Sequence, residues 1–163
     1  MEANFSQLLP LLIRHHVKFI VVGGGAGIAY GLARLTYDVD VVYSREPENI
    51  RNLAAALQEH QPYLRGAPAG LPFRWDEQTI QSGLNFTLTT TAGDLDLLGE
   101  IVGGGSYEDL LPFSEELTAF NVTCRFVTLE RLIQLKRAAG RPKDLEVIAE
   151  LQALLEERWK QKK

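Results

Sequence analysis

Apolar positions along the first part of the chain change from helical spacing to short continuous runs and back. In residues 5–17 the apolar side chains return every three or four positions, which predicts an amphipathic helix. Residues 18–22 form a short apolar run that ends at three consecutive glycines, which predicts a buried strand and a turn. The helical pattern returns over residues 26–35, and residues 37–43 predict the next strand. This order of strand, glycine turn, helix and strand indicates an α/β unit.

Turn-forming residues divide the middle of the chain into shorter elements. Pro47 is expected in the first turn of a helix that runs to about residue 58. Residues 60–80 are rich in proline and glycine and predict an irregular loop. Two runs, 84–90 and 94–98, are separated by Thr-Ala-Gly and predict a β-hairpin.

The last third of the chain carries mainly helical signals. Residues 118–127 predict one more pair of strands, and Thr128 then has the position of an N-cap for a helix that ends near residue 139. Gly140 falls where a left-handed C-cap is expected. Pro142 begins a second helix that runs to about residue 159.

These elements together predict an α/β (α+β) fold, in which a small mixed β-sheet is flanked by helices and followed by a helical C-terminal end. We expect a single domain over residues 1–163, with the α/β core in residues 5–127 and the C-terminal helices in residues 128–159. A length of 163 residues is enough to bury a hydrophobic core, and 45% of the residues are apolar.

Charge and cysteine content exclude several classes of protein. The formal net charge of −4 argues against a basic module that binds polyanions. The single cysteine, Cys124, excludes an intramolecular disulfide and a cysteine-based zinc site. The first residues lack the basic and apolar regions of a signal peptide, and the apolar stretches are too short to span a bilayer. We therefore expect a soluble cytoplasmic protein without a membrane partner.

Acidic residues inside two of the predicted strands are the most informative chemical feature. Asp38 and Asp40 alternate with valines, so both carboxylates are expected on one face of their strand. Carboxylates at this spacing repel each other unless a cation binds between them, and magnesium prefers such oxygen ligands. Asp96, flanked by leucines in the second strand, is the preferred third ligand, and Asp94 beside a turn glycine is the fallback. The alternative interpretation is an edge strand with solvated acids.

The glycine turn before the first acidic strand offers backbone N–H groups to an anion. Gly23 and Gly24 lie at the predicted end of a strand and just before a helix, whose N-terminal dipole also favours phosphate. An ordinary strand-to-helix turn would have the same sequence. A dinucleotide-binding pattern that starts at Gly23 would need glycine where Ile28 stands, and the chain has no Walker-type sequence.

The combination of these features resembles the signature of the nucleotidyltransferase superfamily, which has the DNA polymerase β-like fold. In this chain the signature is two glycines, thirteen further residues, an Asp-x-Asp strand and a later strand with a central aspartate. Residues 22–40 and 132–145 are also similar to motifs of the small bacterial AbiEii-type nucleotidyltransferases. The resemblance extends over about residues 5–155.

The resemblance implies a role for each residue of the candidate site. Asp38, Asp40 and Asp96 would be the catalytic carboxylates and would bind Mg²⁺ or Mn²⁺, with an NTP as the substrate. The two metal ions would stabilise the attacking and leaving oxygens of an in-line displacement. The nucleotide-binding residues implied are Gly23, Gly24, Arg34, Thr36 and Lys136.

Lys136 falls on the expected buried face of its helix, so its ammonium group has to reach the surface or a polar cleft. The resemblance implies the cleft, near the triphosphate, and Arg137 or Arg141 would share this role. Asp144 supports the site in the family by pairing with nearby groups. Its position near the start of a helix is also explained by capping alone, which is the simpler interpretation of the sequence.

The function implied is the metal-dependent transfer of a nucleoside monophosphate from an NTP to an acceptor hydroxyl. Three acceptors stay open, namely tRNA, a protein or a small molecule, and the AbiEii-type motifs imply a toxin–antitoxin setting with an antitoxin as partner. The alternative is a catalytically weak or inactive protein of the same fold that binds a nucleotide or a partner protein. The extra glycines of the turn, which make it more mobile, keep that alternative open.

Overall fold

The computed structural model describes residues 3–161, in which a mixed β-sheet of seven strands forms the centre of an α/β fold. The strands are β1 (Phe19–Val22), β2 (Val39–Tyr43), β3 (Tyr63–Leu64), β4 (Phe86–Thr90), β5 (Gly93–Leu98), β6 (Ser114–Ala119) and β7 (Val122–Val127). The helices are α1 (Phe5–Arg14), α2 (Gly23–Ala29), α3 (Pro47–Leu57), α4 (Glu77–Ser82), α5 (Tyr107–Leu110), α6 (Leu129–Ala139) and α7 (Pro142–Gln161). No helix in this described range is both long enough and apolar enough to cross a bilayer. The predicted fold class, a mixed sheet flanked by helices with a helical C-terminal end, is confirmed.

The order of the strands brings the two acidic strands together in the middle of the sheet. This order is β3-β4-β5-β2-β1-β7-β6. β2 runs antiparallel to β1 and parallel to β5. The register sets Asp40 opposite Val22 on β1 and opposite Asp96 on β5. Directly paired residues of neighbouring strands point to the same side of a sheet, so the carboxylates of Asp40 and Asp96 lie side by side.

Alternation along the two acidic strands fixes this register. The residues that alternate with the aspartates are fully buried, namely Val39, Val41, Leu95 and Leu97. Burial of each such side chain contributes about 1.5–3 kcal/mol to folding. A shift of either strand by one residue would bury its carboxylates in the core and expose its aliphatic side chains. The hydrophobic core therefore holds the acidic residues at the opposite face of the sheet.

Several local predictions are confirmed. β4 and β5 form the predicted antiparallel hairpin. β6 and β7 turn at Phe120 and Asn121, whose φ angles of 55° and 63° are those of a tight hairpin turn. The Thr128 side chain accepts a hydrogen bond from the backbone N–H of Arg131 at the start of α6, and Gly140 ends that helix with a φ of 64°.

Two helices are shorter than their periodicity predicts. α2 begins within the glycine turn itself and ends at Ala29, and Gly31 then adopts a φ of 111°. Residues 32–38 consequently run without regular structure from α2 to the acidic strand. α1 ends at Arg14, and His16 turns the chain with a φ of 58°. At Gly31 and at His16 the backbone leaves the helical region, so the helix ends although the apolar pattern of the sequence continues for several residues.

The stretch predicted as an irregular loop contains two short elements, β3 and α4. β3 pairs with β4 and extends the sheet, and the Asp76 side chain caps α4 by accepting a hydrogen bond from the Thr79 N–H. α5 begins with a capping box formed by Ser106 and Asp109. β6 starts earlier than predicted, because Ser114 already pairs with β7.

Candidate active site

Three carboxylates converge on one face of the sheet. Asp40 and Asp96 are paired neighbours on β2 and β5, and Asp38 lies just before β2 on the same side as Asp40. One oxygen atom of each residue lies within 4.8 Å of the others. The preferred third residue, Asp96, thus joins the Asp-x-Asp pair, whereas Asp94 does not belong to this group of three.

The donor set suits a divalent cation that prefers oxygen ligands, such as Mg²⁺ or Mn²⁺. One observation makes this fit specific: Asp40 Oδ1 is buried and has no hydrogen-bond partner. A buried carboxylate oxygen without a partner is costly, and a bound cation would remove that cost. Asp38, Asp40 and Asp96 could therefore hold such an ion.

Burial and mutual repulsion raise the pKa values of two of these carboxylates. Burial raises the pKa of Asp40 to about 8, and the charges of Asp38 and Asp96 act in the same direction, with Lys136 opposing them. Burial is also the main cause that raises the pKa of Asp38, followed by its hydrogen bond with Asp96, against the opposing charge of Arg65. The site is thus arranged to receive positive charge.

The glycine turn approaches the carboxylates so closely that side chains are excluded. Gly23 has a φ of 65°, and a Cβ built there would overlap Asp40 Oδ2. A Cβ on Gly24 would lie 2.7 Å from Thr36 Oγ1. The predicted phosphate turn and the predicted carboxylates are therefore direct neighbours, and both glycines line the same cavity as the three aspartates.

Two cationic side chains, Lys136 and Arg141, also line that cavity, and one buried carboxylate binds both of them. Asp144 is fully buried. Its oxygen atoms accept hydrogen bonds from Lys136 Nζ at 3.3 Å and from Arg141 Nε at 2.6 Å. The Arg141 backbone N–H also donates to Asp144, so the capping role expected from the sequence is present together with the pairing. Arg137, in contrast, is exposed and lies outside the cavity lining.

Asp144 remains ionised in this arrangement. Burial alone would raise the pKa of Asp144, but the hydrogen bond from Arg141 and the charge of Lys136 hold it below its usual value. The carboxylate fixes both cations at the edge of the cavity, close enough for Lys136 to lower the pKa of Asp40.

Replacement of Asp144 by Ala is expected to lower the free energy of unfolding by about 3 kcal/mol, because it removes the charge-assisted hydrogen bonds that this buried carboxylate accepts from Lys136 and Arg141. Chemical denaturation at pH 7 measures this effect. Glu146→Ala, an exposed change on the same helix, is the matched control and should have little effect. The folded-state pKa of Asp144 is depressed, so its contribution to stability is present above its unfolded value of 3.8 and is lost as the pH falls through the folded-state pKa. Equal stabilities of the two variants at pH 7 would contradict this role.

Arg34 and Thr36 also line the cavity, but neither contacts a carboxylate side chain of the triad. Arg34 Nη2 donates to Glu150 Oε1 on α7 at 2.6 Å. Thr36 Oγ1 donates to the backbone carbonyl of Asp38 at 3.3 Å. The neighbouring Tyr37 side chain is 62% exposed at the same rim.

The site opens into two adjoining cavities that share six lining residues, namely Gly23, Asp40, Leu132, Lys136, Arg141 and Asp144. The first, of about 430 Å³, contains the basic side chains of Arg34, Lys136, Arg141 and Lys143 in addition to the carboxylates of Asp38, Asp40, Asp96 and Asp144. The second, of about 450 Å³, is lined mainly by apolar side chains of β5, α6 and the loop after β5, namely Leu98, Ile101, Val102, Leu132, Leu135 and Ala139. We call them the basic cavity and the apolar cavity.

Arg65 is the main site residue that the sequence analysis did not find. It follows β3, and its guanidinium group contacts Asp38 at 3.2 Å, Asp94 at 3.5 Å and Asp96 at 2.5 Å. Nothing in the local sequence marks it, because it lies within the proline- and glycine-rich stretch that has no clear periodicity. The pairing of β3 with β4 brings it to the acidic strands.

Comparison with known proteins identifies the fold. No protein-family model matches the sequence, and no curated protein matches it either. The lincosamide antibiotic adenylyltransferase LnuA, in its lincomycin-bound crystal structure, superposes with a TM-score of 0.61 at 14% identity, covering 93% of this chain and 96% of LnuA. A Thermotoga maritima protein, provisionally described as a nucleotidyltransferase, superposes with a TM-score of 0.55 at 13% identity, covering 90% of each chain. The chain therefore has the fold of these nucleotidyltransferases, as the resemblance implied, while the AbiEii-type assignment stays a prediction.

Proposed function

We propose that the protein is a metal-dependent nucleotidyltransferase that moves a nucleoside monophosphate from an NTP to an acceptor hydroxyl. The observation that carries this proposal is the convergence of Asp38, Asp40 and Asp96 within 4.8 Å beside a basic cavity. The buried Asp40 oxygen without a hydrogen-bond partner supports a cation at this point. The shared fold of the two nucleotidyltransferases adds to the argument.

The carboxylates have different tasks in this proposal. Asp38, Asp40 and Asp96 would hold Mg²⁺ or Mn²⁺, which when bound would neutralise charge on the transferred phosphoryl group. In the transfer, the acceptor oxygen forms a bond to the α-phosphorus and the bond to pyrophosphate breaks. Asp96 accepts the proton of the attacking hydroxyl as a general base.

The basic cavity is the proposed site for the NTP. Lys136 and Arg141 supply positive charge to the triphosphate, and the backbone N–H groups of Gly23 and Gly24 donate to its oxygens. Arg34 and Thr36 contribute to the same cavity at its outer side. The cationic side chains and the three carboxylates line the same cavity, so the phosphates and the metal-binding oxygens would meet beside Asp40.

A small molecule with a hydroxyl group is the proposed acceptor, in preference to tRNA or a protein. The apolar cavity beside Asp40 has a volume of about 450 Å³, which is the size of cavities that bind small organic ligands. The likeness to LnuA, an adenylyltransferase crystallised with a lincosamide, covers almost the whole of both chains. A net charge of −4 also disfavours a large RNA footprint.

Incubation with each α-³²P-labelled NTP and Mg²⁺ or Mn²⁺, together with cell extract fractionated by mass, tests this proposal. We expect label in the small-molecule fraction and stoichiometric release of pyrophosphate. Label on RNA or protein would contradict the proposed small-molecule acceptor but would still support nucleotidyl transfer. Absence of pyrophosphate release with every NTP and every fraction would contradict the reaction itself.

A pair of variants tests the role of the apolar cavity in the same assay. Val102 is 71% exposed and lines this cavity, whereas Leu71 is 47% exposed and lines neither cavity. Val102→Asp is expected to raise the KM for the acceptor about tenfold with an unchanged KM for the NTP, because it adds a charge to an apolar surface. Leu71→Asp should leave both values unchanged. If Val102→Asp raised only the KM for the NTP, the apolar cavity would be assigned to the nucleotide instead.

A second candidate function is nucleotide binding without catalysis, and one observation favours it. Arg65 already contacts two of the three carboxylates that would bind the metal ion. Calorimetry with Mg²⁺ and an NTP, followed for hours for pyrophosphate, separates binding from turnover. A toxin–antitoxin setting of the AbiEii type, in which tRNA or a protein is the acceptor, is the alternative to the small-molecule acceptor. It predicts growth arrest on expression of this chain and its relief by a partner protein.

A further inference from the structure

Arg65 lies in the same cross-sheet row as Asp96 and Asp40, two of the proposed metal-binding residues. Its backbone N–H donates to the Thr87 carbonyl at 2.9 Å, which continues the pairing of β3 with β4 by one residue. Thr87 is opposite Asp96, and Asp96 is opposite Asp40. Paired residues point to one side of the sheet, so the side chain of Arg65 extends over β4 towards the carboxylates.

The guanidinium group is fixed at several points. Its Nη1 donates to Asp38 Oδ2 at 3.2 Å, and its Nη2 donates to Asp96 Oδ1 at 2.5 Å and to the Leu88 carbonyl at 2.9 Å. Its Nε lies 3.5 Å from Asp94 Oδ2, is buried and makes no hydrogen bond. The side chain is 27% exposed, so these charges are partly shielded from water.

Arg65 and a divalent ion compete for the same carboxylates, namely those of Asp38 and Asp96. An oxygen that accepts a short hydrogen bond from a guanidinium group has less negative charge to offer a metal ion. Asp38 and Asp96 are engaged in this way, whereas Asp40 Oδ1 has no partner. An incoming ion therefore finds the Asp40 carboxylate free of Arg65, whereas Asp38 and Asp96 each already share one oxygen with its guanidinium group.

We propose that Arg65 is a resident counter-ion of the metal-free site, which withdraws to Asp94 when a divalent ion binds to Asp38, Asp40 and Asp96. This inference rests on the proposed function. Arg65 is a positioning residue in this scheme, because it acts on the metal ion through the carboxylates. It also gives Asp94 a role: this carboxylate lies next to Nε and provides an alternative partner within a short movement of the guanidinium group.

Replacement Arg65→Gln should tighten the binding of Mg²⁺, measured by calorimetry without nucleotide, by about tenfold, which equals about 1.4 kcal/mol. The change removes a cation that competes with Mg²⁺. The carboxylates of Asp38, Asp40 and Asp96 then repel one another, and a bound Mg²⁺ ion relieves this repulsion. For the same reason the metal-free variant should melt at a lower temperature than the native protein and should gain more from added Mg²⁺. Arg14→Gln, an exposed change of equal charge outside the site, is the matched control. Unchanged or weaker Mg²⁺ binding in Arg65→Gln would overturn the proposal.

Asp94→Asn tests the withdrawal step. In the native background this change should weaken Mg²⁺ binding several-fold, because Arg65 loses its alternative partner. In the Arg65→Gln background the same change should have a much smaller effect, so the two substitutions are coupled. Strictly additive effects would overturn the role of Asp94.

Two further results separate this inference from the proposed function. If Arg65→Gln does not fold, Arg65→Lys keeps the charge but lacks the planar fork whose two Nη atoms engage Asp38 and Asp96 together, and it should bind Mg²⁺ more tightly than the native protein. Equal Mg²⁺ affinities of native protein and variants, together with transfer activity, would reject the counter-ion and leave the proposed function intact. Absence of Mg²⁺ and Mn²⁺ binding in the native protein and in every variant would reject both.

Discussion

Replacement of Asp40 by Asn is expected to lower the rate of nucleotidyl transfer by about a thousandfold or more and to leave the metal-free protein folded. Asp40 is central to the row of carboxylates, and its Oδ1 is the buried oxygen that has no hydrogen-bond partner. The amide of asparagine has nearly the same shape but carries no charge for a divalent ion. The variant should therefore lose metal affinity and activity together.

The same substitution should increase the stability of the metal-free protein at neutral pH. The folded-state pKa of Asp40 is raised to about 8 from 3.8, chiefly by burial. The folded protein thus holds a proton that the unfolded chain releases, so the contribution of Asp40 to stability is fully present below 3.8 and is lost as the pH rises through about 8. Asparagine does not titrate, so the stability of Asp40→Asn relative to the native protein should increase over this pH range. At its upper end the Tm of the variant should be higher by roughly 5 °C.

Thermal melts from pH 4 to pH 9 in the presence of EDTA, and again with Mg²⁺, measure this effect. With EDTA the native protein should lose stability towards high pH relative to Asp40→Asn. With Mg²⁺ the order should reverse, because the ion stabilises the ionised carboxylates of the native site. Glu59→Gln, an exposed change that also removes one negative charge, should follow the native protein in both series. Full activity of Asp40→Asn with Mg²⁺ would contradict the assignment of the site.

The carboxylates of the candidate site could be predicted from the sequence because each is marked locally. Asp38 and Asp40 stand at alternate positions among valines, and Asp96 stands between leucines, so each is recognisable without knowledge of the fold. Their convergence depends on the parallel pairing of β2 with β5, which the resemblance to a known fold supplied. Glycine at positions 23 and 24 was similarly visible in the sequence.

The remaining features depend on contacts between distant segments. Arg65 reaches the site because a two-residue strand pairs with β4, and such a short strand leaves no periodic pattern. Asp144 has a sequence position that capping explains and a pairing role that the resemblance implied, but its partner Lys136 is identified only by the packing of α7 against α6. The apolar cavity arises where the loop after β5 packs on α6, in a segment whose glycines predict only a turn.

The length of α2 shows a further limit of periodicity. Its apolar pattern continues to residue 35, but the helix ends at Ala29. The residues beyond it then form one rim of the basic cavity, where Leu35 and Tyr37 are 67% and 62% exposed. Apolar residues that appear to continue a helix are thus available to contact a ligand instead.

Replacement of Lys136 by Met is expected to lower kcat/KM for the NTP about a hundredfold, because one fixed positive charge at the triphosphate is lost. The Lys136 ammonium group has three N–H donors, and the hydrogen bond to Asp144 uses one of them. The others are available to phosphate oxygens in the basic cavity, which Lys136 lines. Methionine keeps the length and apolar body of the side chain, so the packing of α6 should be preserved.

The neighbouring Arg137 provides the control that decides between a local and a general charge effect. Arg137→Met removes the same charge one residue further along α6, but this side chain is exposed and lies outside the cavity lining. It should change kcat/KM less than twofold, because its charge is screened by water. Lys136→Met should remain nearly as stable as the native protein, because Arg141 still neutralises the buried Asp144. Equal losses of kcat/KM in the two variants would mean that the reaction with the NTP depends only on the overall charge of the protein. Lys136 would then have no specific role in the site.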